Sequence, residues 1–237
     1  MAIVARDGAR LHYQVSGDGF PVLLLAPGGM RSAARVWSNV PFNPIEALAG
    51  THRVIAMDQR TAGGSAAPVT GAEDWGSYAA DQLAVLDDLG VERCHLVGMC
   101  IGGAFIARLL STAPDRVAKA VALQPIGLEG NRAAFHEMFD SWSAELAPSH
   151  PEATPADWSA YRSAMYDGPH TLFSVPDAAL TEIRTPLLVL RGDDLYHPRS
   201  ASELLAASVP GATLIETWKD PEHLPAAAAA IGAFLAD

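Results

Sequence analysis

Gly98-Met99-Cys100-Ile101-Gly102-Gly103 joins an apolar run, Cys94-His95-Leu96-Val97, to a helical pattern from Ala104 to Leu110. Small residues on both sides of a central Cys or Ser mark a sharp strand-to-helix turn, a nucleophile elbow, whose middle residue is held in a strained backbone conformation with its side chain presented outward. Met99 and Ile101 occupy the free positions. A single Cys in an apolar run is by itself a common core residue, so the neighbouring sequence has to decide between the two readings.

Upstream, Arg10 to Val15 alternates in strand fashion after an Asp7-Gly8 turn, which predicts an antiparallel hairpin at the start of the chain. Pro21 to Ala26 and Arg53 to Met57 are continuous apolar runs, as strands buried on both faces should be. The first runs into Pro27-Gly28-Gly29-Met30, the second into Asp58-Gln59-Arg60-Thr61-Ala62-Gly63-Gly64-Ser65. Trp75 to Leu89 has helical spacing, and Gly90 stands where a C-terminal cap belongs. Val117 to Leu123 reads as a further buried strand.

From Gln124 to about Arg184 no β-type run occurs. Asn131 to Leu146 carries Phe135, Met138, Phe139 and Trp142 at helical spacing, and Thr154-Pro155-Ala156-Asp157 is a capping box that opens a second helix with Trp158, Tyr161 and Met165. Strand-helix alternation resumes with Pro186 to Leu190, a helix from Ser200 to Ala207, the strand Thr213 to Ile215, and an Ala-rich terminal helix from about Pro225 to Leu235. The whole predicts an α/β fold: a mostly parallel central sheet with helices on both faces and a small helical cap inserted after the sixth strand. The expected division is a core of residues 1–126 and 184–237 and a cap of residues 127–183.

The order of these features resembles the α/β-hydrolase family over nearly the whole chain. A glycine loop follows one early strand, a D-x-R-x-x-G-x-S loop the next, then come the elbow, an acid after a late strand, and a His near the end. All fall at strand C-termini, the edge where open α/β sheets carry their sites. The resemblance implies a triad in the chain order nucleophile, acid, His, supplied here by Cys100, Asp194 and His223. Asp194 is followed three and four residues later by His197-Pro198, the spacing the family shows, with Asp193 in reserve. His95 and His197 are the competing histidines: His95 lies in the elbow strand, and His197 is expected to line the pocket. The oxyanion hole implied by the resemblance uses the N–H of Ile101 and one from Gly29 or Met30. Met99, Gln124, Phe139, Trp142 and His197 are the expected pocket residues.

A thiol at a helix N-terminus beside an imidazole is a ready nucleophile near neutral pH. The expected function is therefore hydrolysis of an ester, thioester or lactone through a covalent Cys acyl-enzyme, in the manner of dienelactone hydrolases and certain thioesterases. A C–C bond hydrolase, a cyclase or acyltransferase on the same fold, and a non-catalytic small-ligand-binding protein are the alternatives. With 27 acidic and 16 basic residues the net charge is -11, which disfavours nucleic acid as a partner. No stretch has the length of a membrane span, no His/Cys/Asp cluster has metal spacing, and no cofactor fingerprint is present. A cytoplasmic enzyme with a small-molecule substrate is the expectation; oligomeric state is not legible.

Overall fold

A computed structural model describes residues 2–236. The strands β1 (Ala2–Arg6) and β2 (Ala9–Ser16) form the antiparallel hairpin, turned by Asp7 and Gly8, both at positive φ. They lead into β3 (Phe20–Leu25), the short helix α1 (Pro44–Leu48), β4 (His52–Met57), α2 (Trp75–Asp88), β5 (Cys94–Cys100), α3 (Ile101–Thr112) and β6 (Val117–Pro125). Helices α4 (Arg132–Leu146) and α5 (Pro155–Tyr166) follow, then β7 (Leu187–Leu190), α6 (Arg199–Ser208), β8 (Thr213–Ile215) and α7 (Leu224–Ala236). The eight strands make one sheet in the order β1-β2-β4-β3-β5-β6-β7-β8, parallel from β4 through β8.

Strand alternation sorts the apolar runs into two cores. Leu23, Leu25, Leu96, Ala120, Ala122, Leu187 and Val189 face α2, α3 and α6; Val22, Leu24, Val97, Val121, Leu123, Leu188 and Leu190 face α1 and α7. This two-sided burial is why the strands read as unbroken apolar runs rather than alternating ones.

Asp74 caps α2 in a capping box with Ser77, and Gly90 closes the helix at φ 64. Thr154 and Asp157 form the expected capping box of α5. Helix α1, absent from the sequence reading, has Asn43 as its N-cap and Pro44 as its first residue, but five residues are too few for a periodic apolar pattern. The segment between β6 and β7 packs its aromatic side chains into the α2–α3 core: Trp142 contacts Trp158 and Tyr161, and Trp75 Nε1 donates to Met165 O at 2.9 Å. No helix among the described residues is long and apolar enough to cross a membrane.

Candidate active site

Cys100 ends β5 at φ 62 and ψ -118, a backbone conformation strained for a side-chain-bearing residue, and α3 begins at the next residue. The flanking glycines let this turn close against its neighbours. A Cβ on Gly98 would lie 2.6 Å from Gly102 O, and one on Gly103 would lie 2.5 Å from Pro125 Cβ at the end of β6.

Two backbone N–H groups point at the Cys100 thiol, those of Ile101 and Gly28. Ile101 is one of the expected oxyanion donors. The second N–H at the thiol is that of Gly28, with φ 117, next to the expected Gly29 and Met30. Gly29 lines the adjoining cavity, while the Met30 side chain turns into the core and is 2 % exposed. The D-x-R-x-x-G-x-S loop braces this glycine turn from behind. Buried Asp58 accepts from Ala34 N and Gly64 N, each at 2.7 Å, and pairs with His12 Nδ1 at 2.9 Å. Gln59 N donates to Ser32 O at 3.0 Å, and Ser32 Oγ donates to Ala26 O at 2.6 Å.

The imidazole that reaches Cys100 is that of His197, three residues after Asp194 on the loop that follows β7. Asp194 Oδ1 and Oδ2 lie 2.7 and 2.9 Å from His197 Nδ1, and Oδ1 also accepts from the backbone N–H groups of Tyr196 and His197 at 3.0 and 3.1 Å. With Nδ1 held in this way, Nε2 is the nitrogen left for the thiol. Nε2 is buried, has no other polar partner, and interacts with Cys100 Sγ.

Charge states follow from this packing. Burial alone would raise the Cys100 pKa, but the hydrogen bond and charge of His197, helped by the Gly28 and Ile101 N–H groups, hold the thiol below its ordinary value. Burial would lower His197, yet Cys100 and then Asp194 pull it up to about 9. Burial would raise Asp194, and His197 outweighs it to keep the carboxyl below the usual range. All three directions favour a thiolate-imidazolium pair backed by a carboxylate.

His223, the expected base, does not lie in this cluster. It sits just before α7, 44 % exposed, with Asp220 and Glu222 as its nearest carboxylates at 3.9 and 4.0 Å. Trp218 is buried in the α7-side core with its Nε1 donating to Arg191 O at 2.9 Å, and Lys219 pairs with Asp193. These two anchors fix the course of the β8–α7 loop and lead His223 into the helix start. The same Lys219 contact occupies Asp193, so Asp194 alone faces His197. His95 lies at the opposite edge of the sheet, in an open groove of about 910 Å³ shared with His52, Arg93 and Lys119. Burial, then His52 and Lys119, lower its pKa to about 4, and no Cys or Ser lines the groove.

The cavity in front of Cys100 has a volume of about 260 Å³. Besides His197 and the glycine loop, its wall is Ile101, Ile126, Phe135, Met138, Tyr166 and Tyr196. Four expected pocket residues lie elsewhere. Met99 has the opposite strand parity and is buried toward α7. Phe139 and Trp142 pack on each other and on Tyr161, so α4 turns Phe135 and Met138 to the cavity instead. Gln124, at φ 35, sits where the β5–β6 register shifts and does not reach the wall.

The family model described as alpha/beta hydrolase fold matches residues 21–157. The RutD protein of Azorhizobium caulinodans, provisionally named a carbamate hydrolase, is 30% identical over 237 aligned positions covering 88% of this chain and 86% of its own. Carboxylesterase YbfK of Bacillus subtilis is 28% identical, with 86% and 74% covered. Among solved structures, a hydrolase from Pseudomonas aeruginosa superposes with a TM-score of 0.74 at 25% identity, covering 100% of this chain and 98% of its own. The fold, the elbow and the family match agree: the chain belongs to the alpha/beta hydrolase fold family.

Proposed function

We propose that the protein hydrolyses a small thioester, activated ester or lactone through a covalent acyl-Cys100 intermediate, with His197 as proton carrier and Asp194 as its orienting acid. The observation that carries this reading is the His197 imidazole, fixed by Asp194 through Nδ1 and facing the elbow thiol through Nε2.

In the first half-reaction the Cys100 thiolate attacks the substrate carbonyl carbon. The developing oxyanion accepts from the N–H groups of Gly28 and Ile101, donors already in place and so needing no reorganisation. When the tetrahedral intermediate collapses, the bond to the leaving group breaks and imidazolium His197 gives that group its proton. Neutral His197 then takes a proton from water, the resulting nucleophile attacks the thioester, and Cys100 leaves as thiolate while His197 is recharged. Thiolate and aryloxide leaving groups compete well with sulfur for expulsion, and ring strain or protonation by His197 helps the alcohol of a lactone to leave; amide nitrogen competes poorly, which favours thioesters, activated esters and lactones.

The similar proteins carry names for carbamate, carboxylic ester and, for the structure of Est816 at 26% identity and a TM-score of 0.69, N-acyl homoserine lactone degradation. Acyl transfer to water is the chemistry those names share. Residues 127–183 act in this reading as a cap, with Phe135, Met138 and Tyr166 roofing the thiol.

The test is incubation with a panel of aryl thioesters, aryl esters and small lactones, followed by intact mass spectrometry. The expected result is turnover that Cys100→Ala abolishes and an acyl adduct on Cys100 that accumulates in His197→Ala. Full activity in Cys100→Ala would overturn the reading.

A further inference from the structure

Three of the four most buried tyrosines give their hydroxyls an oxygen partner: Tyr13 bonds Asp88, and Tyr78 and Tyr161 bond each other at 2.5 Å. Tyr166, fully buried, does not. Its hydroxyl donates only to the Met30 thioether, at 3.4 Å. A thioether sulfur is a weak acceptor, and a buried phenol normally finds a better one. The ring lines the cavity in front of Cys100, and the charge of Cys100 reaches the phenol, so Tyr166 stands beside the thiol.

Tyr166 is also held rigidly. Its ring stacks on Phe135 at 5.3 Å and meets Phe173 and Trp75 edge-on at 5.4 and 6.2 Å. Arg132 donates to its carbonyl oxygen and, at 3.0 Å, to Gly168 O. A donor fixed this well and satisfied this poorly is preorganised for a ligand atom. Burial first, then the nearby Tyr78 and Cys100 charges, keep the phenol protonated well beyond its usual range, so it remains a donor whenever the thiolate is present.

The rest of the wall restricts what that ligand can be. No Lys, Arg, Asp or Glu lines the cavity, and the proton of His197 is committed to Asp194 and Cys100. A carboxylate or phosphate on the acyl group would be buried there without a counter-charge. The volume of about 260 Å³ holds roughly nine small groups at ~30 Å³ each.

We propose that the Tyr166 hydroxyl recognises the acyl group, and that the substrate is a short, uncharged acyl compound bearing an ether, hydroxyl or keto oxygen next to the scissile carbonyl. This rests on the reading of Cys100 as nucleophile.

The aryl thioesters of methoxyacetate and butyrate test it, since they differ by one oxygen in place of one methylene. Let the methoxyacetyl-to-butyryl ratio of kcat/KM be measured for the wild type and for Tyr166→Phe, and the same ratio for uncatalysed attack by a free thiol. The expected wild-type ratio exceeds the uncatalysed one by about 10- to 100-fold, and Tyr166→Phe returns it to the uncatalysed value. An unchanged ratio in the variant, or an equal fall for both substrates, overturns the assignment and makes the phenol structural or a third oxyanion donor. Intact mass spectrometry separates this failure from that of the parent reading: acyl-Cys100 forming from both thioesters without discrimination sinks only the acyl selection, whereas no acyl-Cys100 from either sinks both.

Discussion

Asp194 and His197 form a hydrogen-bonded carboxylate-imidazole pair within a single turn: the carboxylate accepts from the ring Nδ1 at 2.7 Å and from the backbone N–H of the same residue at 3.1 Å. The side chain of Asp194 is 46 % exposed and that of His197 only 11 %, so the turn carries a wet carboxylate to a buried imidazole. Asp194→Asn keeps a carbonyl acceptor but removes the charge that sustains the imidazolium. Its kcat/KM is expected to fall ~10²-fold or more, with the far-ultraviolet circular dichroism spectrum unchanged. Asp193→Asn loses only a surface pair with Lys219 and should stay within about twofold of the wild type. Steady-state kinetics of both variants, side by side, decides the acid.

The two candidate bases separate as cleanly. His197→Ala removes the group that serves both halves of the proposed reaction, and a loss of ~10²–10⁴-fold is expected. His223→Ala removes a half-exposed ring whose nearest carboxylates are 3.9 Å or more away, and should leave kcat/KM within about twofold of the wild type. A collapse of activity in the His223 variant would return catalysis to the β8–α7 loop.

The strands, the elbow turn and the placement of Asp194 were legible because each is a local pattern: unbroken apolar runs for a sheet covered on both faces, small residues around Cys100, and Gly192-Asp193-Asp194 after a strand. The histidine beside Asp194 and Cys100 was not, because the choice of His223 rested on the order in which the family's triad residues follow one another. His197 offers an imidazole from within the Asp194 turn itself, and its spacing three residues after Asp194 marked the acid and a pocket residue without showing which nitrogen would face the thiol. Pocket residues failed for a different reason. Helical spacing groups Phe135, Met138, Phe139 and Trp142 on adjoining faces of α4, but only the packing of α5 and Tyr161 decides which of them are swallowed and which front the cavity.

The charge states make a kinetic prediction. The species that alkylates is the thiolate, so its fraction rises as pH passes the Cys100 pKa, which His197 holds below the ordinary thiol value. Iodoacetamide inactivation should therefore half-saturate at a pH below about 8.5, where a free thiol half-ionises. Turnover additionally needs the imidazolium as acid, and should decline as pH rises through about 9, where His197 loses its proton. In His197→Ala the buried thiol loses the partner that offset its burial, and the alkylation profile should move upward past the free-thiol range. Rates of inactivation across pH for the two proteins check both limbs.

The turn itself has one residue that nothing larger can replace. A Cβ on Gly192 would lie on the His197 carbonyl oxygen and 2.6 Å from His197 Cβ, both within the loop that carries the base. Gly192 also donates its N–H to the buried Ser202 Oγ at 3.1 Å, so the backbone there cannot retreat without breaking that bond. Gly192→Ala must therefore push His197, and with it the ring that faces Cys100. A displacement of about 1 Å in a reacting group costs on the order of 10²-fold in rate. The expected variant is folded, with kcat/KM down by about that factor and with the pH at which iodoacetamide inactivation half-saturates raised, because the imidazolium no longer holds the thiol down. Loss of activity with an unshifted alkylation profile would mean that the loop tolerates the methyl group and that the His197–Cys100 contact is set elsewhere.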